Sequence, residues 1–277
     1  MNLSSTADQV SIDKKNAAYW DELCGSQLAK QIGVTDNSPT SLKKFDDWYF
    51  RFYPYLDQHI PFGQMKGRDV LEIGLGYGTV SQKIAESGAR YSGLDIAAGP
   101  VAMVKHRCDQ IGARDAKAVQ GSVLEAPFEA GSFDWVVAIG CLHHTGNLAR
   151  AISEVHRVLR LGGQAMIMVY SAASYRQYAT NPMATWRRYM SSTPYRAPTA
   201  AEWERGAYDR RLDGTAAPQT EFVTKLELAS LCSGFAKVKI KSENIGAEGY
   251  LRYIPRPVSC RVLGPIVGLD LYASLQK

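Results

Sequence analysis

The chain has 277 residues, of which 45% are hydrophobic, and a formal charge of +5 from 32 basic and 27 acidic side chains. This length and hydrophobic content allow one substantial core, and a mild basic excess without a polybasic run argues against a dedicated nucleic-acid protein. The five cysteines show no Cys-x-x-Cys spacing, so neither a disulfide framework nor a zinc site is indicated. No apolar run approaches the roughly 20 residues of a membrane helix, and we expect a soluble, cytoplasmic protein with no membrane span.

Residues 1–60 are predicted to form an N-terminal helical cap. After a polar start through Asn16, a first helix is predicted over residues 17–32, with one apolar face made of Trp20, Leu23, Cys24 and Leu28. A second helix begins at the cap Ser38 with Pro39 in its first turn, and Pro54 is expected to kink or end it.

The second helix is unusually aromatic. Its apolar residues recur at steps of three and four, at Leu42, Phe45, Tyr49, Phe52 and Leu56. Two interpretations stay open: the rings pack the helix onto a sheet, or some of them, with Tyr49 and Tyr53 as candidates, line a cofactor or substrate pocket.

A glycine loop follows the first predicted strand, near residues 69–73. The loop reads Gly74-Leu75-Gly76-Tyr77-Gly78, and a helix is predicted over residues 79–88. Alternating glycines let the backbone turn sharply and approach a ligand, and the helix that follows points its free amides at that ligand. Position 79 is Thr, so the third glycine of the dinucleotide pattern is absent, which disfavours a nicotinamide enzyme.

The next predicted strand, near residues 91–95, ends in Asp95, seventeen residues after Gly78 (95 − 78 = 17). An acid in this place can accept hydrogen bonds from both hydroxyls of a ribose. The glycine loop and the acid together are far more specific for a nucleotide-like cofactor than either is alone.

With these two motifs the chain resembles the class I S-adenosylmethionine-dependent methyltransferases, over roughly residues 66–170. Residues 133–137 are similar to the fourth strand of that family, and residues 154–163 to the helix and glycine turn that precede its fifth strand. The resemblance implies S-adenosylmethionine as cofactor and eight residues that bind it: Glu72, Gly74, Gly76, Gly78, Asp95, Ser122, Val123 and Ile139. The family usually has an acid for the adenine amine after its third strand, where this chain has Ser122.

Strands and helices alternate along the core of the chain. Strands are predicted near residues 69–73, 91–95, 117–120, 133–139 and 164–170, with helices near 79–88, 98–111 and 148–160. A capping box at Thr224 and Glu227 opens a further helix, and two more strands are predicted near 235–242 and 268–275. We predict an α/β fold with a doubly wound, mostly parallel seven-stranded sheet, the Rossmann-like methyltransferase fold, over residues 61–277.

Residues 171–221 form a predicted helical insertion after the fifth strand. The insertion carries seven arginines, no lysine and seven Tyr or Trp residues, a composition that suits planar and aromatic contacts. Two interpretations stay open: a lid that closes over the acceptor through Arg187, Arg188 and Tyr189, or a solvated surface excursion.

His143 and His144 follow the fourth predicted strand and are the candidate bases. Methyl transfer is an in-line displacement, so a base is needed only when the acceptor loses a proton. The sequence lacks the Asn-Pro-Pro-Tyr type of motif after strand four and a Pro-Cys nucleophile, which favours a small-molecule acceptor and no nucleic-acid partner. A non-catalytic module that binds S-adenosylmethionine or a nucleotide, a nucleic-acid methyltransferase and a dehydrogenase are the alternatives, and the methylated atom and oligomeric state stay open.

Overall fold

The structure is a computed structural model that describes residues 6–23, 29, 31–191, 195, 200–211 and 213–277. Cys24 and Leu28 of the predicted first helix, and Pro194 and Pro198 of the insertion, lie outside the described residues. Among the helices within these ranges, none combines the length and the apolar character that crossing a membrane requires.

Seven strands form one sheet in the order β3-β2-β1-β4-β5-β7-β6. Their bounds are β1 Asp69–Ile73, β2 Arg90–Asp95, β3 Lys117–Gln120, β4 Phe133–Ile139, β5 Leu159–Tyr170, β6 Lys237–Glu243 and β7 Asp270–Gln276. Strand β7 runs antiparallel to both of its neighbours, and the remaining pairs are parallel. The predicted doubly wound, mostly parallel sheet is confirmed.

Twelve α-helices are described within the same ranges. They are α1 Thr6–Leu23, α2 Pro39–Phe52, α3 Leu56–His59, α4 Thr79–Glu86, α5 Ala98–Gln110, α6 Leu148–Val158, α7 Tyr175–Thr180, α8 Pro182–Met190, α9 Glu202–Gly206, α10 Lys225–Leu231, α11 Arg256–Val262 and α12 Gly264–Val267. Two predicted caps are present: the Ser38 side chain accepts a hydrogen bond from the Ser41 amide, and Thr224 and Glu227 bond reciprocally.

Both faces of the sheet are buried, which explains why the central strands read as nearly continuous apolar runs. Leu71 and Val136 are paired neighbours that point into one core, whereas Val70 and Val137 belong to the core on the other face. The carboxyl ends of β1, β2 and β4 therefore meet at one edge, and the polar residues that follow them are brought together.

The first helix differs from the prediction of a polar start and a helix over residues 17–32. It begins at Thr6, and polar side chains bond it to the turn after β4. The Gln9 side chain donates to the Thr145 carbonyl at 2.9 Å, and the Asn16 side chain donates to the His144 carbonyl at 2.7 Å. Because these contacts depend on the fold of distant residues, hydrophobic periodicity could not reveal them.

Candidate active site

A cavity of about 380 Å³ lies at the carboxyl ends of β1, β2 and β4. Its floor is the glycine loop, and its walls come from the first turns after β3 and β4 and from helices α1 and α2. This is the edge at which open α/β sheets bind their ligands, and the volume lies within the roughly 300–1,000 Å³ range of small-molecule pockets.

The three glycines of the loop serve different purposes, although all have positive φ angles. A Cβ atom on Gly74 would lie 2.4 Å from the Cys141 Cβ, and one on Gly78 would lie 2.8 Å from the Arg107 Cδ. A Cβ atom on Gly76 would meet no atom within 4 Å, although Gly76 lines the cavity. The protein itself therefore requires glycine at positions 74 and 78, whereas the space above Gly76 is left for a ligand.

Asp95 ties the end of β2 to the glycine loop. Its Oδ2 accepts a hydrogen bond from the Leu75 amide at 2.7 Å, and its Oδ1 accepts one from the Ala97 amide at 2.9 Å. Burial raises the pKa of this carboxyl, and the backbone donors oppose that shift. The amides of Ile96 and Gly76 also act on this carboxyl. Because the carboxyl lines the cavity, it lies within reach of the donors of a ligand.

Glu72 is a second buried carboxyl in the cavity wall. Its Oε2 accepts hydrogen bonds from the Ser81 hydroxyl at 2.5 Å and the Tyr91 hydroxyl at 2.6 Å. Burial raises the pKa of Glu72 to about 7, since desolvation outweighs these two donors. A cationic ligand in the cavity would favour the ionised form of this group.

The other predicted cofactor residues lie mostly where they were expected. Ser122, Val123 and Ile139 line the cavity, and the Ser122 hydroxyl accepts from the Leu124 amide at 3.4 Å. Gly78 does not line the cavity, because it faces Arg107 beneath the loop. Seven of the eight predicted residues therefore converge on one cavity.

Helix α2 is anchored to the glycine loop through a buried ion pair that the sequence did not reveal. The fully buried Arg107 donates to both oxygens of Asp46 at 2.9 and 3.0 Å, and the Thr79 hydroxyl donates to the same carboxylate at 2.6 Å. This places Phe45 and Tyr49 in the cavity wall.

Of the two predicted aromatic contacts on α2, only Tyr49 lines the cavity. The ring of Tyr53 lies 4.9 Å from that of Tyr49, centroid to centroid, but is not part of the cavity lining. The helix ends at Phe52, just before Pro54 removes a backbone donor, so Tyr53 does not continue the helical face that carries Phe45 and Tyr49.

His144 lines the cavity and is held by residues of the insertion. Its Nδ1 lies 2.7 Å from the Gln219 carbonyl oxygen, which places the proton of the neutral ring on Nδ1. Its Nε2 lies 3.6 Å from the Asp209 Oδ2, longer than a hydrogen bond, and both atoms lack a hydrogen-bond partner among the described residues. Burial lowers the pKa of His144, opposed by the charge of Asp209 and by the Gln219 carbonyl.

His143 does not line the cavity. Its ring is fully buried, with centroids 4.1 Å from both the His144 and Tyr170 rings, and neither nitrogen has a hydrogen-bond partner in the described part of the chain. Burial and the neighbouring His144 hold the pKa of His143 well below its usual range. Of the two predicted bases, the structure therefore places His144 at the cavity and His143 behind it.

The predicted lid residues do not reach the cavity either. On α8, the Arg188 guanidinium donates to the Phe222 carbonyl at 2.6 Å and pairs with Glu227 at 3.2 Å, and Arg187 and Tyr189 are exposed. The insertion approaches the site through a later part, where Asp209 and Gln219 face His144.

Sequence reasoning missed the contribution of helix α1. Asp13, Asn16 and Trp20 line the cavity, and the Trp20 ring lies 4.7 Å from the His144 ring. In the sequence, only Trp20 in the predicted first helix pointed to a contact with the cavity. The polar side chains of α1 bond to backbone oxygens, and such contacts leave no periodic pattern in the sequence. Within the described ranges, no group of three His, Cys, Asp or Glu side chains is arranged to hold a metal ion.

Comparison with known proteins agrees with this geometry. Residues 71–167 match the family model described as a methyltransferase domain. A demethylmenaquinone methyltransferase of Tropheryma whipplei is 27% identical over 48% of this chain and 56% of its own length, and a probable S-adenosylmethionine-dependent methyltransferase of Mycolicibacterium smegmatis is 31% identical over 50% and 53%. The chain spans about half the length of these curated relatives.

A solved structure shares the fold at low identity. Phosphoethanolamine N-methyltransferase 2 of Haemonchus contortus, in complex with phosphomonomethylethanolamine and S-adenosylhomocysteine, superposes with a TM-score of 0.55 at 14% identity, over 86% of this chain and 57% of that one. The matched domain, the named relatives and the sheet order agree with the motifs of the glycine loop and Asp95. Residues 71–167 are therefore a methyltransferase domain similar to those of S-adenosylmethionine-dependent methyltransferases, whose cofactor is S-adenosylmethionine.

Proposed function

We propose that this protein transfers the methyl group of S-adenosylmethionine to a small-molecule acceptor. The observation that carries the proposal is the open space above Gly76, between two glycines that the protein packs tightly. Bound in this cavity, the cofactor supplies an electrophilic methyl carbon on a sulfonium. Asp95 would accept from its ribose hydroxyls, and the buried carboxyl of Glu72 complements its positive charge.

The walls of the cavity suit a reaction that depends on alignment and desolvation. Trp20, Phe45 and Tyr49 give it an aromatic lining, and helix α1 is bonded to the turn after β4. An in-line displacement gains most of its rate from fixed geometry and from partial removal of water around the charged centre. The protein would therefore hold the acceptor opposite the sulfur and exclude solvent.

His144 is the candidate base if the acceptor is a hydroxyl or an acidic carbon. Because Nδ1 is fixed by Gln219, only Nε2 carries a free lone pair, and Asp209 lies close enough to stabilise the protonated ring. Because Nε2 and the Asp209 Oδ2 are both buried and Asp209 does not line the cavity, an acceptor would reach Nε2 only if Asp209 moved aside. An acceptor without a proton to lose would need no base, and His144 would only shape the wall.

A small acceptor is favoured over a polymer. The cavity is lined on several sides by α1, α2 and the turns after β3 and β4, and the Tropheryma relative is named for methylation of demethylmenaquinone, which is a small molecule. We further propose residues 1–60 as a cap over this cavity and 61–277 as the methyltransferase domain, in agreement with the contacts of α1 and α2.

The test is transfer of label from methyl-labelled S-adenosylmethionine to fractionated cell metabolites. We expect one small-molecule fraction to take the label, and Gly76→Val to abolish both transfer and cofactor binding by filling the cavity floor. Gly131→Val is the matched control, because Gly131 also has a positive φ angle, with no atom within 4 Å of its Cβ position, but lies outside the cavity.

The alternatives give distinct results. Tight cofactor binding with no label in any fraction would support a non-catalytic binding module, and label in RNA or DNA would support a nucleic-acid methyltransferase. Unchanged cofactor affinity in Gly76→Val would contradict the assignment of the cavity itself.

A further inference from the structure

The segment between β6 and β7 carries a surface that the proposed methyl transfer does not use. It contains a 3-10 turn at Gly249–Tyr253 and the helices α11 and α12. Strand β6 is antiparallel to β7, which is antiparallel to β5, so β6 runs in the direction of the central strands. The segment therefore leaves the sheet at the carboxyl edge, where the cavity also lies.

The exposed side chains of residues 250–266 are apolar, proline or arginine, and we call them the 250–266 surface. Six large apolar side chains are between 41% and 90% exposed: Tyr250, Tyr253, Ile254, Val258, Val262 and Ile266. Residues 250–267 contain three arginines and no acid or lysine. Val258 and Val262 lie one turn apart on α11, and this number of exposed large apolar residues within one short segment favours an interaction site over ordinary surface.

Three lysines extend this surface along the neighbouring edge strand. Lys237, Lys239 and Lys241 are exposed at alternate positions of β6 and so share one face of the sheet. Lys241 is paired with Tyr272, which belongs to the same apolar cluster as Leu263. Paired residues project to the same side, so the lysines lie on the face that the segment covers.

The segment is fixed to helix α2, which forms part of the cavity wall. The Arg256 guanidinium lies 3.8 Å from the Phe52 ring centroid and donates to the Asn244 side chain at 2.8 Å. From Phe52, ring contacts of 4.8 and 4.9 Å lead through Tyr53 to Tyr49, which lines the cavity. Aromatic packing therefore connects the 250–266 surface to the cavity wall.

The acid nearest to this surface in the chain is paired. Glu248 accepts from Arg176 at 2.6 Å and from the Tyr175 hydroxyl, both at the start of the insertion. Its charge is therefore largely balanced, and the arginines and lysines dominate the field around the exposed apolar side chains.

We propose that the 250–266 surface docks on an anionic lipid bilayer. Exposed aromatic and aliphatic side chains with arginines and lysines beside them are what an interfacial helix presents to acyl chains and anionic headgroups. A protein partner is less well matched, since lysine is depleted in protein interfaces. A symmetric contact between two copies would bring each copy's basic residues against those of the other, which is repulsive. Docking would bring the wall of the cavity formed by helix α2 close to a membrane, and, given the proposed methyl transfer, an acceptor dissolved in the bilayer could enter without crossing water.

The test is sedimentation of the full chain with vesicles of phosphatidylcholine alone or of equimolar phosphatidylglycerol and phosphatidylcholine. We expect binding to the anionic vesicles at about 0.15 M salt and loss of most of it at about 0.5 M. The double change Val258→Asp with Ile266→Asp should weaken binding about tenfold or more, because it places charge where acyl chains must contact the protein.

Leu161→Asp is the matched control, because Leu161 is 92% exposed but lies at the amino end of β5, at the opposite edge of the sheet. The Leu161→Asp variant should bind vesicles as the unaltered protein does. The double change Lys239→Glu with Lys241→Glu should weaken binding and reduce its dependence on salt. Circular dichroism and S-adenosylmethionine titration establish that each variant is folded.

Three results would overturn the proposal. The first is that the unaltered protein fails to bind anionic vesicles. The second is that the double variant with Val258→Asp and Ile266→Asp binds them as tightly as the unaltered protein. The third is that the protein forms a dimer, that the double variant is monomeric, and that neither binds vesicles. The test does not depend on methyl transfer, so failure of the proposed activity and failure of docking remain distinguishable.

Discussion

Replacing Asp95 by Asn tests the carboxyl that joins β2 to the glycine loop. An Asn side chain has one oxygen, so it can accept from either the Leu75 amide or the Ala97 amide, which now occupy one oxygen each. The other backbone N–H would face an NH₂ group. A hydrogen bond to a charged group contributes about 1.5–3 kcal/mol, so we expect the free energy of unfolding of the ligand-free protein to fall by about that amount.

The same substitution should weaken cofactor binding separately. If the Asp95 carboxylate accepts from ribose hydroxyls, loss of its charge should weaken S-adenosylhomocysteine binding about 10- to 150-fold in calorimetry, equivalent to about 1.5–3 kcal/mol. An analogue without the ribose hydroxyls completes a double cycle: the unaltered protein should bind it more weakly than S-adenosylhomocysteine, whereas Asp95→Asn should discriminate little.

Asp134→Asn is the matched control for the structural part of this effect. The Asp134 Oδ2 accepts from the Asp69 amide at 2.9 Å and lies 3.0 Å from Arg160, at the amino edge of the sheet far from the cavity. We expect stability to fall with no change in cofactor affinity. If Asp95→Asn discriminates against the analogue as strongly as the unaltered protein does, Asp95 only holds the loop and the ribose binds elsewhere.

Three further outcomes are expected. Burial lowers the pKa of His144, so its ring stays neutral into the acidic range. If His144 is the base, kcat should fall only below about pH 6.5. A midpoint of the kcat profile above that pH would contradict the assignment of His144 as the base. Burial raises the pKa of Asp270 to about 7, so the folded protein holds this proton more tightly than the unfolded chain does. The free energy of unfolding, measured by urea titration, should therefore fall by up to about 4 kcal/mol as the pH rises from about 4 to 8. Asp270→Asn should remove this dependence on pH. Arg188→Ala should lower the free energy of unfolding by about 1 kcal/mol and leave the KM for the acceptor unchanged. Arg187→Ala should change neither quantity. A raised KM in either variant would support α8 as a lid after all.

Most of the fold could be predicted because the core of the chain is locally consistent. Strands β1, β3 and β4 have the predicted bounds, and each is followed directly by a glycine, at positions 74, 121 and 140. Strand β5 begins at Leu159 rather than near residue 164, because an extra pairing of Leu159 with Phe133 precedes a bulge. Such an extension depends on the neighbouring strand, so it cannot be predicted from the residues of β5 alone.

The site divides in the same way. The loop glycines, Asp95 and Ser122 follow strands directly, so the sheet alone brings them together at its carboxyl edge. Arg187 and Tyr189 are chemically suited to bind a ligand, but both are exposed. The content of Arg and Tyr in a segment does not predict which face of a short helix lies toward the cavity. The placement of α8 depends on the pair between Arg188 and Glu227, a contact across 39 residues of sequence.

The turn after β4 is the junction at which the covering parts of the molecule meet. Helix α1 donates to the carbonyls of His144 and Thr145, and the end of the insertion contributes the Glu221 amide to the His143 carbonyl and the Gln219 carbonyl to the His144 ring. Helix α1 and the end of the insertion are thus bonded to the same short turn, residues 143–145. A change that displaces this turn should therefore disturb the contacts of both.

This junction explains why two adjacent histidines differ in chemical character. His143 is held among Tyr170 and His144 with both nitrogens unpartnered within the described residues, which a buried ring tolerates only when it is neutral. His144 has one nitrogen fixed by Gln219 and the other beside Asp209, so its charge can change without leaving an isolated buried ion. If an acceptor requires proton transfer at this turn, we therefore propose His144 rather than His143 as the base, with Asp209 and Gln219 of the insertion holding its ring.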